Sequence, residues 1–63
     1  MKFHQLYKIF CGTKLAIEYN HQLLSYTTET LFEDVLFFEE IKNMEVTEIW
    51  YSTIYNSIVF KVE

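Results

Sequence analysis

The fold class is decided by residues 30–43, which read TLFEDVLFFEEIKN. The apolar residues that recur there at i, i+4, i+7 and i+10 are Leu31, Val35, Phe38 and Ile41. This spacing places them on one side of an α-helix. Thr30 is followed three residues later by Glu33, as in a capping box. We therefore predict one helix that begins after Thr30, ends near Asn43 or Met44, and turns its apolar stripe toward a sheet.

The segments before this helix are predicted to form strands. Residues 3–11, FHQLYKIFC, are rich in the aromatic and β-branched side chains that strands favour. Residues 15–19 form a second strand, in which alternate side chains are apolar. Asn20-His21 suits a tight turn, because both residue types tolerate positive φ. Residues 22–27 then return as a third strand.

The segments after the helix complete the predicted sheet. Residues 46–54 and 58–63 are strands, and residues 55–57 form the turn between them. We predict one domain over residues 1–63 of the α+β class, a small antiparallel β-sheet with one helix packed on one face, in the order βββαββ. The alternative order, ββαββ, has one long strand over residues 14–26 in place of the hairpin.

Chain length and cysteine content indicate self-association in a reducing compartment. A domain of 63 residues buries only about 60% of the surface that its unfolded chain exposes. Such domains usually add a disulfide, a metal or a second subunit. Cys11 is the only cysteine, which excludes an internal disulfide. No apolar run approaches the roughly 20 residues that cross a bilayer. We therefore expect a homodimer in the cytoplasm, away from membranes.

Both faces of the predicted sheet carry apolar side chains. If Ile17, Ile49 and Phe60 face the helix, side-chain alternation turns another apolar set outward. The residues of that outward set that we assign to self-association are Leu6, Phe10, Trp50 and Ile54. A patch of this size on a monomer marks an interaction site. The alternative is that an aromatic-rich composition simply leaves some of these side chains exposed.

The sequence contains no motif for catalysis or for a cofactor. The soft metal ligands are His4, His21 and Cys11, and none has a partner at the short spacing of zinc motifs. Gly12 is the only glycine, so there is no glycine-rich loop for phosphate. Cys11 precedes a turn between predicted strands, away from any helix N-terminus that could stabilise a thiolate. We expect no enzyme activity, no metal and no cofactor.

Acidic residues cluster in and around the predicted helix. Most of the nine acidic residues fall within residues 29–48. On a straight helix, Glu33 and Glu40 share one line opposite the apolar stripe, and Glu29 extends that line. The residues that we assign to partner binding are Glu29, Glu33, Leu36, Phe37, Glu40 and Met44. The alternative is that the glutamates only solubilise a helix face. This alternative does not explain carboxylates near the helix C-terminus, where the dipole disfavours them.

Charge and composition narrow the class of partner. The net charge is −4 and arginine is absent, so we do not expect direct binding to nucleic acid. Carboxylates beside apolar anchors are instead suited to binding a protein of a host cell, in particular a basic protein that itself binds nucleic acid. A sharper form of this hypothesis is DNA mimicry, in which spaced carboxylates imitate phosphates.

The composition also indicates a genomic setting. The chain lacks arginine and proline and is rich in Lys, Asn, Ile, Tyr and Phe, a bias typical of AT-rich genomes. Short chains of this kind are common in phages and mobile elements. We therefore expect a small acidic regulator or inhibitor that binds a host protein such as a defence or nucleic-acid enzyme. The alternative is a self-assembling structural protein without a foreign target.

Overall fold

The computed structural model describes residues 1–63 as three short helices on one face of a four-stranded sheet. In chain order the elements are α1 (Phe3–Ile9), β1 (Lys14–Tyr19), β2 (Gln22–Thr27), α2 (Thr28–Glu33), α3 (Val35–Ile41), β3 (Val46–Ser52) and β4 (Ser57–Val62). The α+β class is confirmed. The order βββαββ is wrong, because the first predicted strand is a helix and the predicted helix is two. None of these helices has the length and apolar character that a bilayer crossing requires.

The first element is a helix because its apolar side chains have helical spacing. Those at i, i+3 and i+4 are Phe3, Leu6 and Tyr7, and Phe10 follows at i+7 as the extended C-cap residue; all four pack in or against the core. Phe3 is fully buried, and its backbone N–H donates to the carbonyl oxygen of Met44 at 2.9 Å. The aromatic and β-branched composition predicted a strand. Burial of one helical stripe overrides that intrinsic preference.

The hairpin of β1 and β2 is confirmed, and the long strand over residues 14–26 is wrong. Tyr19 pairs with Gln22 across a two-residue turn. The turn residues, Asn20 and His21, have φ of 52° and 64°. Two positive φ values are what a type I′ turn requires, and this turn matches the natural twist of the paired strands.

The sheet is mixed, so the prediction of an antiparallel sheet is wrong at its centre. The strand order is β2-β1-β4-β3, and β1 runs parallel to β4. The two hairpins, β1-β2 and β3-β4, are antiparallel. Turn residues and alternation indicate each hairpin locally. They carry no information on how one hairpin lies against the other.

One face of the sheet holds the core. Its buried cluster consists of Phe3, Leu15, Ile17, Leu31, Ile41, Phe60 and Val62. Leu24 and Tyr26 share this face, because they pair in register with Ile17 and Leu15. The opposite face therefore mixes polar and apolar side chains: Glu18, Leu23, Ser25, Lys61 and Trp50 around buried Ala16 and Val59. The predicted broad second apolar face is wrong.

The predicted helix over residues 30–43 begins earlier and breaks at Asp34. Thr27 is the N-cap, and its Oγ1 accepts from the Thr30 N–H at 3.1 Å. Asp34 leaves helical geometry, with φ −84° and ψ 73°, and its Oδ1 accepts from the Phe37 N–H at 3.4 Å as the cap of α3. Because of this break, Val35 is exposed instead of lying on the predicted core stripe.

Candidate functional site

The junction between α2 and α3 presents three large apolar side chains to solvent. Phe32, Val35 and Leu36 are 71%, 62% and 86% exposed. We call these three residues the junction patch. They lie within five consecutive positions, on either side of Asp34. Short helices on a sheet usually bury their large apolar groups. A cluster of them in solvent therefore marks a candidate interaction site.

Asp34 fixes the junction to the sheet. Its Oδ2 accepts a hydrogen bond from the Tyr26 hydroxyl at 3.2 Å, while its Oδ1 caps α3. Burial, together with the charge and hydrogen bond of Asp34, raises the pKa of Tyr26 above its ordinary value. The carboxylate of Asp34 is thus engaged within the chain, and it orients the junction patch instead of offering a free charge.

Two of the residues assigned to partner binding are packing residues. Phe37 lies between Tyr26, with ring centroids 5.5 Å apart in a stacked pair, and Tyr19, 5.7 Å away edge-on. Met44 is half-buried and packs against the core cluster. Of the predicted apolar anchors, only Leu36 stands in solvent. Phe32 and Val35 stand in solvent as well. Phe32 was not among the predicted anchors, and Val35 was expected to face the sheet, as it would in an unbroken helix.

The carboxylates of the two helices differ in their engagement. Glu40 accepts a hydrogen bond from the Tyr19 hydroxyl at 2.6 Å, and Glu39 pairs with Lys42 at 2.7 Å. Glu29 and Glu33 are exposed and form no ion pair. The predicted line of Glu29, Glu33 and Glu40 is interrupted, because the first two belong to α2 and the third to α3. Neither helix contains a lysine.

The Tyr19–Glu40 pair gives a testable pH dependence. The hydrogen bond to Glu40 raises the pKa of Tyr19, and partial loss of hydration and the carboxylate charge act in the same direction. The stability from this pair is therefore full below the unfolded pKa and is lost as pH rises through the folded pKa. In a spectrophotometric phenolate titration, we expect Glu40→Ala to lower the pKa of one tyrosine. Glu39→Ala, whose carboxylate contacts Lys42, is the matched control. An unchanged titration in Glu40→Ala would show that the pair does not form.

The four residues assigned to self-association do not share a face. Leu6 and Phe10 are half-buried on the helix side, where the Phe10 ring meets Phe60 edge-on at 5.7 Å. Trp50 lies on the opposite face. Ile54 lies in the turn between β3 and β4 and is 89% exposed. They do not form one surface, although Trp50 and Ile54 are both exposed.

The exposed apolar side chains of the sheet concentrate on β3, which is an edge strand. Ile49 and Tyr51 on the helix side, and Trp50 on the other, are all exposed. We call residues Glu48–Ser52 the β3 edge. The sequence places these side chains on a strand, but nothing local in it indicates that this strand has a neighbour on one side only.

The concavities of the chain are open and do not assemble a metal site. One, of ≈ 480 Å³, lies at the end of the sheet beside His21, Glu18 and Lys61. The other, of ≈ 370 Å³, lies between α1 and β3. No three His, Cys, Asp or Glu side chains are grouped so that they could hold a metal ion. Cys11 is a free, exposed thiol.

Comparisons of the chain with protein families, with curated proteins and with solved structures found no match. No function can therefore be transferred from a relative. Two surfaces of the chain expose clustered apolar side chains: the junction patch, with the unpaired carboxylates of Glu29 and Glu33, and the β3 edge.

Proposed function

We propose that this chain is a small acidic regulator or inhibitor that binds a basic partner protein through the junction patch. The observation that carries the proposal is the exposure of Phe32, Val35 and Leu36 together at one helix junction. Full burial of a large apolar side chain stabilises a protein by about 1.5–3 kcal/mol relative to leaving that side chain in solvent. The three side chains of the junction patch do not gain this free energy within the chain. A partner surface that covers them recovers part of it.

The charges around the junction patch favour a basic partner. Glu29 and Glu33 lie on the same short helix as Phe32 and have no cation within the chain. Complementary charges accelerate encounter and fix orientation, while buried apolar anchors supply most of the affinity. The partner that fits is a protein with an apolar pocket rimmed by lysine or arginine.

The AT-biased composition supports a setting in which a phage or mobile element encodes the chain and a host protein in the cytoplasm is the target. Host defence and nucleic-acid enzymes carry the basic surfaces that such a partner needs. The break at Asp34 favours docking over DNA mimicry. It separates Glu29 and Glu33 from Glu40, which is hydrogen-bonded to Tyr19.

The test is capture of a specific partner by the tagged chain from a lysate of the host, with a double variant as comparison. We expect Phe32→Ser together with Leu36→Ser to abolish capture, because it removes two anchors without touching the core. Adding salt should weaken capture by the wild type, since Glu29 and Glu33 contribute by charge.

The matched control is Ile54→Ser, which removes an equally exposed apolar side chain from a different part of the chain. It should capture as the wild type does. Capture that survives the double variant, or that disappears in Ile54→Ser, would exclude the junction patch as the binding site. Circular dichroism of each variant establishes that it is folded.

A self-assembling structural protein is the second candidate. It is favoured by one observation, the apolar side chains on the β3 edge. An open sheet edge is a template for pairing with another strand. Self-association and binding of a foreign partner use different surfaces here, so both can hold for one chain.

A further inference from the structure

We propose that two copies of this chain associate through their β3 edges, antiparallel, about a two-fold axis at Trp50. The strand lacks proline and lysine, two residues that commonly block pairing at sheet edges. It exposes Ile49, Trp50 and Tyr51. The other edge strand, β2, is a weaker template, because its exposed residues are polar: Gln22, Ser25 and Thr27.

The part of β3 that is open to pairing is limited at both of its ends along the chain. Before it, the N-terminal residues cover the strand, and the carbonyl oxygen of Met1 accepts from the Val46 N–H at 2.9 Å. A bulge between Val46 and Glu48 separates the covered part from the open part. After Ser52 the chain turns into β4. The open stretch is therefore Glu48–Ser52, the length of a short ladder between two copies.

The hydrogen-bond pattern shows which backbone groups of β3 point outward. Glu45 and Glu63 exchange both backbone hydrogen bonds, at 3.1 and 3.0 Å. In an antiparallel ladder, hydrogen-bonded pairs alternate with non-hydrogen-bonded pairs. Glu63 belongs to a hydrogen-bonded pair, so every second residue of β4 before it also forms backbone hydrogen bonds to β3. Their partners in register are Glu48, Trp50 and Ser52. The N–H and C=O groups of the intervening Ile49 and Tyr51 therefore point away from β4, and no turn or loop group bonds to them.

A two-fold axis at Trp50 satisfies all of these outward groups. Ile49 then lies opposite Tyr51 of the second copy, and the reverse pair repeats it, giving four backbone hydrogen bonds. Aromatic and β-branched side chains are favourable cross-strand neighbours. Glu48 lies opposite Ser52 of the second copy. An axis at Glu48 would instead oppose two carboxylates, and an axis at Ile49 would require pairing through the bulge.

The nearly neutral surface of β3 and the shape beside it are compatible with a second copy as the occupant. Two chains of charge −4 repel each other, so they must meet where the surface is nearly neutral. Glu48 is the only charged residue of β3, and it lies in register with Lys61. Tyr51 of the second copy, opposite Ile49, would also lie beside the ≈ 370 Å³ groove, whose apolar lining residues are Met1, Leu6, Val46 and Ile49.

The first test measures oligomeric state by sedimentation over a wide range of concentration. We expect a closed dimer for the wild type. Ile49→Lys should raise the dimer dissociation constant about tenfold or more, because each copy gains an edge charge. Ile54→Lys changes an exposed isoleucine outside the ladder and should dimerise as the wild type does. A monomer at every concentration, an open-ended polymer, or equal dimerisation of the two variants would overturn the proposal.

The second test fixes the register and does not depend on the behaviour of a lysine variant. In a Cys11→Ser background, Trp50→Cys places two cysteines directly opposite in a non-hydrogen-bonded pair, where Cα atoms lie about 4.5 Å apart. We expect mild oxidation to give a covalent dimer. Ile54→Cys in the same background should stay mostly uncrosslinked. Faster crosslinking by Ile54→Cys, or by Ile49→Cys, would overturn the register. Partner capture by the junction patch is scored separately, so either proposal can fail alone.

Discussion

Replacing Phe3 with alanine is expected to unfold the protein. The Phe3 ring is fully buried and lies 5.8–6.2 Å, centroid to centroid, from the rings of Tyr7, Phe38 and Phe60. It joins α1 to α3 and to the central strand β4. Phe→Ala in a core costs about 3–5 kcal/mol. A domain of this size rarely has more than roughly 3–5 kcal/mol of total stability. The expected cost of the substitution is therefore as large as the whole stability.

Urea denaturation followed by far-ultraviolet circular dichroism measures this effect at a fixed protein concentration. Ile9→Ala is the control within the same helix, because Ile9 is exposed. It should change stability by less than about 0.5 kcal/mol. A Phe3→Ala variant with the midpoint of the wild type would show that α1 is not docked on the sheet.

Replacing Leu31 with alanine is expected to cost about 2–5 kcal/mol. Leu31 is fully buried in the core cluster from α2. The informative comparison is Val35→Ala. An unbroken helix would place Leu31 and Val35 on one buried stripe, so that both substitutions would be costly. The break at Asp34 leaves Val35 in solvent, so its replacement should change stability by less than about 0.5 kcal/mol.

Leu36→Ala adds a control with the same residue type as Leu31. It should be nearly neutral in the same urea denaturation experiment, because the Leu36 side chain is almost entirely exposed. A cost for Val35→Ala equal to that for Leu31→Ala would contradict the broken helix. It would also remove the structural basis of the junction patch.

The hairpins could be predicted from the sequence because their signals are local. Asn20 and His21 tolerate the positive φ that a type I′ turn needs, and side chains on either side alternate. β3 ends at Ser52, two residues before the predicted end at residue 54. Its closing pair is Ser52 with Ser57, and the four-residue loop between them contains Asn56 at φ 53°.

The first helix could have been predicted, but two signals in it conflict. The spacing of Phe3, Leu6, Tyr7 and Phe10 is helical, whereas their residue types favour a strand. In a short segment the conflict is decided by packing, which depends on residues distant in sequence. Here Phe3 contacts Phe60 from the last strand. The sequence of this segment alone is compatible with either a helix or a strand.

The exposure of the residues assigned to partner binding was predicted only in part. Glu29, Glu33 and Leu36 are exposed as expected, but Phe37 fits between Tyr19 and Tyr26, and Met44 packs on the core. Asp34 has hydrogen-bond partners in both Tyr26 and the α3 backbone. The helix break at this residue moves Val35 off the predicted core stripe, while Phe38 and Ile41 remain on the core as predicted. A helical periodicity drawn through Asp34 cannot include such a contact.

The parallel pairing of β1 with β4 has a consequence for how the chain reaches its fold. The last strand lies inside the sheet, between the first and the third, and it joins residues 15–18 to residues 58–61. Closing so long a loop is entropically costly and slows folding. During synthesis, the β1-β2 hairpin and the central helices emerge well before β4 does. Until β4 arrives, the β1-β2 hairpin lacks the neighbouring strand that completes the core face, and the apolar faces of the hairpin and the helices stay open to chaperones and proteases.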